Sequence, residues 1–487
     1  MAAGPERNLL SPQGSDRTGV QGMETGAGLR IAIVGAGACG TLLAIHLLRQ
    51  SRVAVDVTLI ERGVGFGRGA AYSSPNPAHT LNVLAHMMGG EAEADVDGFV
   101  RWLAPRQGTA PEAIRNDYPA RWSYGDYLQD LLANAESDHP GRLRRLRGEV
   151  FDLTPGGASR YTLRLADGTR IEADHVALCL GNLDPGRFLP ASDPRFVDTP
   201  WRPGALAGIG PAERLLIVGT GLTMVDTVLD LLVRGHTGPM IAVSRHGQLP
   251  REDALSATYP DFFSPAIATR GIAAVMKAVR REVQEAAARG IGWHGVIEAF
   301  RVHTSAIWKN LDETNRRRFL RHLRSLWFVY RHRLPPQHMR RLDALRAAGR
   351  LTIRAGRLVT LSPGSGGIAV TIRPRGAATG DVIHVDRVIN CTGPEGDYAR
   401  STLPLVRSLI AQGLARPDDY RLGLDIDEDF TLLRADGTRA EGLVTLGPPT
   451  RGRFWEVTAV PHLRRQVEAF VARLVATHNP GETKISS

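Results

Sequence analysis

The chain has 487 residues, of which 43 % are hydrophobic and 23 % charged, with a formal charge of +10. Such a length favours two or three domains around a large core, and the composition is ordinary for a water-soluble globular protein. No run of about 18 apolar residues is free of charges and breakers, which argues against a membrane span and leads us to expect a cytoplasmic protein.

The positive charge does not by itself point to nucleic acid. Only three lysines occur, Lys277, Lys309 and Lys484, so almost all the basic residues are arginine. Codon bias produces such a skew without selection for polyanions. No nucleic-acid motif accompanies the basic run from Arg316 to Arg324. That run reads as a solvated helix face or as a steering surface for an anionic substrate or nucleotide phosphates. The three cysteines, Cys39, Cys179 and Cys391, form no C-x-x-C pair. They read as packing residues, which argues against a dithiol relay and a cysteine-based metal site.

Residues 1–29 are polar and lack the apolar segment of a signal peptide, so they are expected to be a disordered tail, with Met23 a plausible alternative start. Gly28 to Val34 reads as a strand, its run Leu29–Val34 apolar and partly β-branched, as a buried parallel strand should be. Gly35, Gly37 and Gly40 then supply a G-x-G-x-x-G turn, which permits a sharp bend, close approach of a diphosphate and tight helix packing. The segment Thr41–Gln50 is the expected helix. A second strand, Val55–Ile60, ends in Glu61, at the spacing of a ribose-binding acid. Gly63, Gly65, Gly67 and Gly69 follow, suggesting backbone laid against a ligand. His79 and Asn82, polar within apolar sequence, are candidates for the flavin edge or for ordinary loop capping.

A second turn follows the apolar strand Arg214–Val218. It has Gly219 and Gly221, but Met224 stands where a third glycine would be, which predicts a looser helix–strand contact. The next strand, Met240–Val243, leads to Ser244, Arg245 and His246 with no acid. An arginine here suits the 2′-phosphate of NADPH rather than the free hydroxyl of NADH. The bland alternative is an exposed arginine in an arginine-rich chain. Between residues 262 and 350 the periodicity becomes helical, with candidate helices at 265–289, 293–310, 313–332 and 337–348. The segments 175–182 and 386–394 are alike: each is an apolar strand ending in small residues and glycine, as expected at crossings between two domains.

These elements predict an α/β protein with two Rossmann-like dinucleotide-binding domains and a helical insertion. The expected division is a discontinuous FAD domain (30–205 and 385–476) around an NADPH domain (206–384) carrying the insert 262–350, with a disordered tail at 477–487.

The order of segments resembles the two-dinucleotide-binding flavoproteins, including flavin-containing and N-hydroxylating monooxygenases. More closely it is similar to the bacterial FAD-NAD(P)-binding protein family. The matching pieces include Ile33–Gly37, Ala71–Ser74, His79–Val83, Val218–Asp226, Ser244–Pro250, Asn390–Pro394, Gly447 with Pro448, and Trp455–Pro461. The resemblance implies FAD contacts at Gly35, Gly37, Gly40, Glu61, Asn82 and Gly447, and NADPH contacts at Gly219, Gly221 and Arg245. Gly393 and Trp455, in matching segments, are further expected cofactor-facing positions. No catalytic residue or metal ligand is assigned. The implied activity is an NADPH-dependent oxidoreductase, a monooxygenase working through a peroxyflavin on a small substrate. N-hydroxylation of an amino acid or amine, with molecular oxygen as co-substrate, is the candidate. The competing reading is a flavin reductase or dehydrogenase passing electrons to a quinone or protein. The insert suits a wall of a substrate pocket or a homo-oligomer contact.

Overall fold

The computed structural model describes residues 28–478, except 52, 64, 93, 157–159 and 190–192. The expected tails and the alternative start Met23 lie outside the described residues, save that Leu29 already belongs to a strand and residues 477 and 478 complete the last helix.

The first sheet has six strands in the order Thr431–Leu433, Arg439–Thr445, His175–Leu178, Leu29–Val34, Val55–Glu61 and Leu143–Arg147. All neighbours are parallel except the edge pair formed by the first two. Its central strand buries Ile31, Ala32 and Ile33 almost completely. This is why that strand reads as a continuous apolar run: both faces are covered, one of them by helix Ala38–Gln50.

The second sheet has five strands, all parallel, in the order Leu351–Ala355, Met240–Ser244, Leu215–Val218, Arg387–Asn390 and Phe196–Val197. This corrects the expected division. Arg387–Asn390, expected in the first domain, pairs its Val388 with Leu216 and Phe196 of the second sheet. Phe196–Val197 also lies in the second sheet. The chain crosses outward near residue 185 and returns near residue 394. The two crossings lie side by side, with Pro185 bridged to Pro394 and the Glu395 amide donating to the Asp184 carbonyl at 3.2 Å. Each sheet carries a small antiparallel meander, Val150–Ala173 on the first and Arg357–Val385 on the second.

The insert is helical, as its periodicity predicts, with informative interruptions. Gly271, at φ +90°, separates a 3₁₀ turn, Pro265–Arg270, from helix Ile272–Ala288. Helices Trp293–Arg301 and Thr304–Asn310 divide the second predicted segment. In the third, the five residues Phe319–Leu323 adopt π-helical geometry between Glu313–Arg318 and Arg324–Arg331. Among the described residues no helix is long and apolar enough to cross a membrane.

The two halves are joined by a charged and hydrogen-bonded clamp, and by an aromatic cluster of Trp308, Leu422 and Trp455 between the insert and the C-terminal segments. Arg121 pairs with Asp226 at 2.9 Å, with side chains 14 % and 8 % exposed, and also donates to the Thr80 carbonyl. His79 bridges the same joint, with Nδ1 against Ser74 Oγ at 2.6 Å and Nε2 against the Asp226 carbonyl at 3.0 Å. Asn76 donates to Asp230 at 2.7 Å. His79 thus works as a tie between domains, with both ring nitrogens engaged by protein. Removing one partner of a buried ion pair strands the other, at a cost of about 3–5 kcal/mol. Arg121→Ala should therefore lower the urea midpoint markedly and expose the crossings near residues 185 and 394 to protease. Unchanged proteolysis would show that the halves are held by something else.

Candidate nucleotide sites and the cleft between them

The first glycine turn is defined by what its glycines exclude. Gly35 sits at φ +99°, and a Cβ there would fall 2.4 Å from the Cys179 carbonyl oxygen on the neighbouring strand. A Cβ on Gly40 would lie 1.9 Å from the Gly35 carbonyl, so the helix start can pack against the strand only without a side chain. Helix Ala38–Gln50 begins after Gly37 with no side-chain cap and no acid in its first turn. Its free amides therefore form an anion site. Glu61 braces the turn: one carboxylate oxygen accepts the Ala36 amide and the other the Gly63 amide, both at 2.7 Å. The glycine-rich stretch after Glu61 folds back over the turn, with the Gly67 amide donating to the Ala36 carbonyl at 2.8 Å.

The second turn repeats this construction. Gly219, at φ +118°, backs onto Cys391, whose carbonyl oxygen would be 2.1 Å from an added Cβ. Helix Leu222–Val233 starts after Gly221, again uncapped and without an acid in its first turn. A Cβ on Gly221 would meet nothing within 4 Å, so space is open where a diphosphate would approach. Met224 is fully buried. A full side chain thus sits where the first turn tolerates no Cβ.

Beyond the end of strand Met240–Ser244 lies a cleft of about 620 Å³. Arg245 and His246 line it together with Arg321, Arg357, Arg373 and Arg375. Arg321 belongs to the basic run seen in the sequence. Arg357, Arg373 and Arg375 come from the meander and gave no sequence signal in so arginine-rich a chain. Their convergence follows from strand Leu351–Ala355 lying beside Met240–Ser244. A second cationic focus lies deeper: the Arg324 guanidinium is held down to about 10 by burial and by repulsion from Arg451 and Arg245.

Gly393 (φ +85°) has open space around its Cα at the exit of the second sheet. Gly447 is buried beside Cys39, and its amide is already given to Gln466 Oε1 at 2.8 Å. Asn82 is half-buried, and its side chain makes no hydrogen bond among the described residues. Trp455 is 6 % exposed at φ +60° and ψ −68°, a backbone position that bulky residues avoid. It stacks on Trp308 at 5.1 Å, with Phe319 edge-on at 4.9 Å. Strain of about 1–3 kcal/mol is offset by such aromatic contacts, worth about 0.5–1.5 kcal/mol each beyond burial. Cys39 and Cys179 are buried together under the first turn. Their hydrogen bond and burial raise the Cys179 thiol well above its ordinary range. A thiol so held stays protonated and is a poor nucleophile.

Residues 32–183 match the FAD-NAD(P)-binding family. A comparison with the sequences of curated proteins finds no match. Among solved structures, the ornithine N-hydroxylase of Kutzneria sp. 744 superposes with a TM-score of 0.64 at 16 % identity, covering 92 % of this chain and 99 % of its own. The L-lysine 6-monooxygenase of Pseudomonas syringae gives 0.62 at 16 % identity, with 92 % and 99 % covered. The bacillithiol disulfide reductase of Bacillus cereus gives 0.52 at 13 % identity, with the same coverage. The chain has the two-dinucleotide-binding flavoprotein fold, with an FAD-NAD(P)-binding segment at its N-terminal side.

The insert is anchored to the turn after Gly447 by buried charge. Glu456 accepts from Trp327 Nε1 and from Arg331 Nε, both at 2.9 Å. Arg331, His332 and those donors hold its carboxyl down to about 2 against its burial, whereas burial lowers His332 and His462 to about 4. A histidine kept neutral in the fold loses stability as pH falls from its unfolded value, near 6.5, toward 4. A carboxylate with a depressed value loses it as pH falls from about 4.5 toward 2. Both act in the same direction. The denaturation midpoint should therefore decline from about pH 6.5 downward, and His462→Gln should flatten the limb between pH 6.5 and 4. A limb of unchanged slope in that variant would remove His462 from the account.

Proposed function

We propose that this protein is an FAD- and NADPH-dependent monooxygenase that transfers one oxygen atom to a small nitrogen-bearing substrate, an amino acid or amine. The observation that carries the nicotinamide half is the arginine-lined cleft at the end of strand Met240–Ser244. It lies beyond the second glycine turn, where an adenosine 2′-phosphate would reach Arg245 while the diphosphate met the uncapped amides after Gly221. FAD would be held by Gly35, Gly37 and Gly40, with Glu61 at the ribose. Asn82, Gly447 and Gly393 would border the ring, whereas Trp455 is taken up by the rings of the insert. The fold likeness to ornithine and lysine hydroxylases supports the same reading.

Bound flavin supplies hydride acceptance and oxygen activation. The chain's own groups orient the two dinucleotides, through the clamped domains, and exclude water. The net reaction is balanced: amine, oxygen, NADPH and a proton give hydroxylamine, water and NADP⁺. The cysteines are buried and form no C-x-x-C pair, which disfavours a disulfide reductase despite that neighbour in the fold. The convergence of Arg324, Arg451 and Arg245 provides a positive field suited to a diphosphate or a substrate carboxylate.

The test is aerobic NADPH oxidation by the FAD-loaded enzyme with a panel of basic and acidic amino acids and simple amines. Products are read by mass and peroxide is measured in parallel. A product heavier by one oxygen, formed in step with NADPH loss, is expected. Efficient reduction of quinones, with no oxygenated product from any member of the panel, would favour electron transfer instead.

Arg245→Ala should raise KM for NADPH by about 10- to 100-fold, the worth of a charge-assisted hydrogen bond, and leave KM for NADH nearly unchanged. Equal losses with both nucleotides would show that Arg245 does not read the 2′-phosphate.

A further inference from the structure

The helical insert encloses a cavity of about 590 Å³. That size is within the range of small-ligand sites, about 300–1,000 Å³. Its wall is aromatic and aliphatic, and includes Trp293, Trp308, Trp327, Trp455, Phe300 and Phe319. Well-packed interiors do not keep voids of this size. The cavity opens into a surface groove, because Ile272, Met276, Arg280, Gln284 and Leu323 line both. The groove carries Lys277, Arg280, Arg281, Arg318 and His322 and no acidic side chain. Arg281 is paired with Glu282 at 2.9 Å. Lys277, Arg280 and Arg318 make no ion pair among the described residues.

Two further features converge on this wall. Phe319 and Leu323 belong to the π-helical turn, a geometry that costs backbone regularity and occurs frequently at functional sites. Trp455 is the strained residue described above, held there by rings from the insert.

We propose that the insert is a binding site for an amphipathic anion, an aromatic or acyl carboxylate. Its apolar body fills the tryptophan-lined cavity, and its carboxylate lies against Lys277, Arg280 and Arg318 at the mouth. An apolar interior with an unpaired cationic rim selects for that division of polarity. A neutral apolar molecule would leave the rim unused, and a small polar one would leave the cavity unfilled.

Four tryptophans line the site, so intrinsic fluorescence of the full-length protein reports occupancy directly, without cofactor turnover. Decanoate and decan-1-ol are the probes. Saturable quenching is expected with both, with decanoate tighter by about tenfold, the worth of one charge-assisted contact. Arg280→Gln with Lys277→Gln, both at exposed positions, should abolish that preference and leave decan-1-ol binding unchanged. Val279→Trp, which fills the cavity, should weaken both probes by at least about tenfold. Equal affinity for the two probes overturns the proposal, as does decanoate binding that survives the charge substitutions. A fluorescence change that tracks dissociation of a dimer also overturns it, because a second copy would then cover the groove.

Discussion

Both nucleotide turns depend on one steric constraint, the approach of a glycine to the carbonyl of an adjacent parallel strand. Gly35 against Cys179 and Gly219 against Cys391 leave no room for a methyl group. A side chain at either position would push the turn away from the sheet and misdirect the helix that follows. With glycine in place, each helix starts uncapped at the C-terminal edge of its sheet. Its first amides then point into the crevice where the strand order reverses. The two sites are the same solution used twice, down to the cysteine that ends each partner strand.

That repetition sets the two anion sites but not their distance or angle. The clamp around Asp226 is one of the links that join the two halves. Its position on helix Leu222–Val233 makes the second nucleotide helix the very element that Arg121 and His79 grip from the first half. Any relative motion of the domains would therefore move the second turn with respect to the first. The adjacent crossings at Pro185 and Pro394 form a narrow neck, and they do not fix the angle alone. The joint is thus charged and hydrogen-bonded around Asp226 and aromatic around Trp308 and Trp455.

The sequence made local features legible and left convergent ones unread. The first turn, its strand and Glu61 were readable because steric and hydrogen-bond demands act within about 30 residues. The helical insert was readable from period alone, but the π turn at Phe319–Leu323 was not, because its residues continue the helical pattern. The strand Arg387–Asn390 was placed in the wrong sheet. A short apolar run fits either parallel sheet, and its partner is decided by chain topology. Arg357, Arg373 and Arg375 carried no signal at all, since only the sheet edge brings them to Arg245. His79 was weighed as a flavin neighbour or a loop cap, and its place in the interdomain joint became visible only with Asp226 beside it.

The π turn also links parts of the molecule that the sequence keeps separate. Its Phe319 and Leu323 face the tryptophan-lined cavity, while Arg321 and His322 from the same five residues reach the arginine-lined cleft. An α-helix spaces same-face residues three or four apart, so successive residues diverge around its axis. Phe319 and Leu323, four apart, share one side of the segment, and Arg321 and His322 between them fall toward the other, so one short segment walls both spaces. Trp455 completes the connection from the other side, packed on Phe319 and joined through the next residue, Glu456, to Trp327 and Arg331. Displacing Phe319 would therefore shift a cationic side chain at the nucleotide cleft and a strained tryptophan next to the Gly447 turn. The insert thereby touches both the arginine-lined cleft and the segment after Gly447.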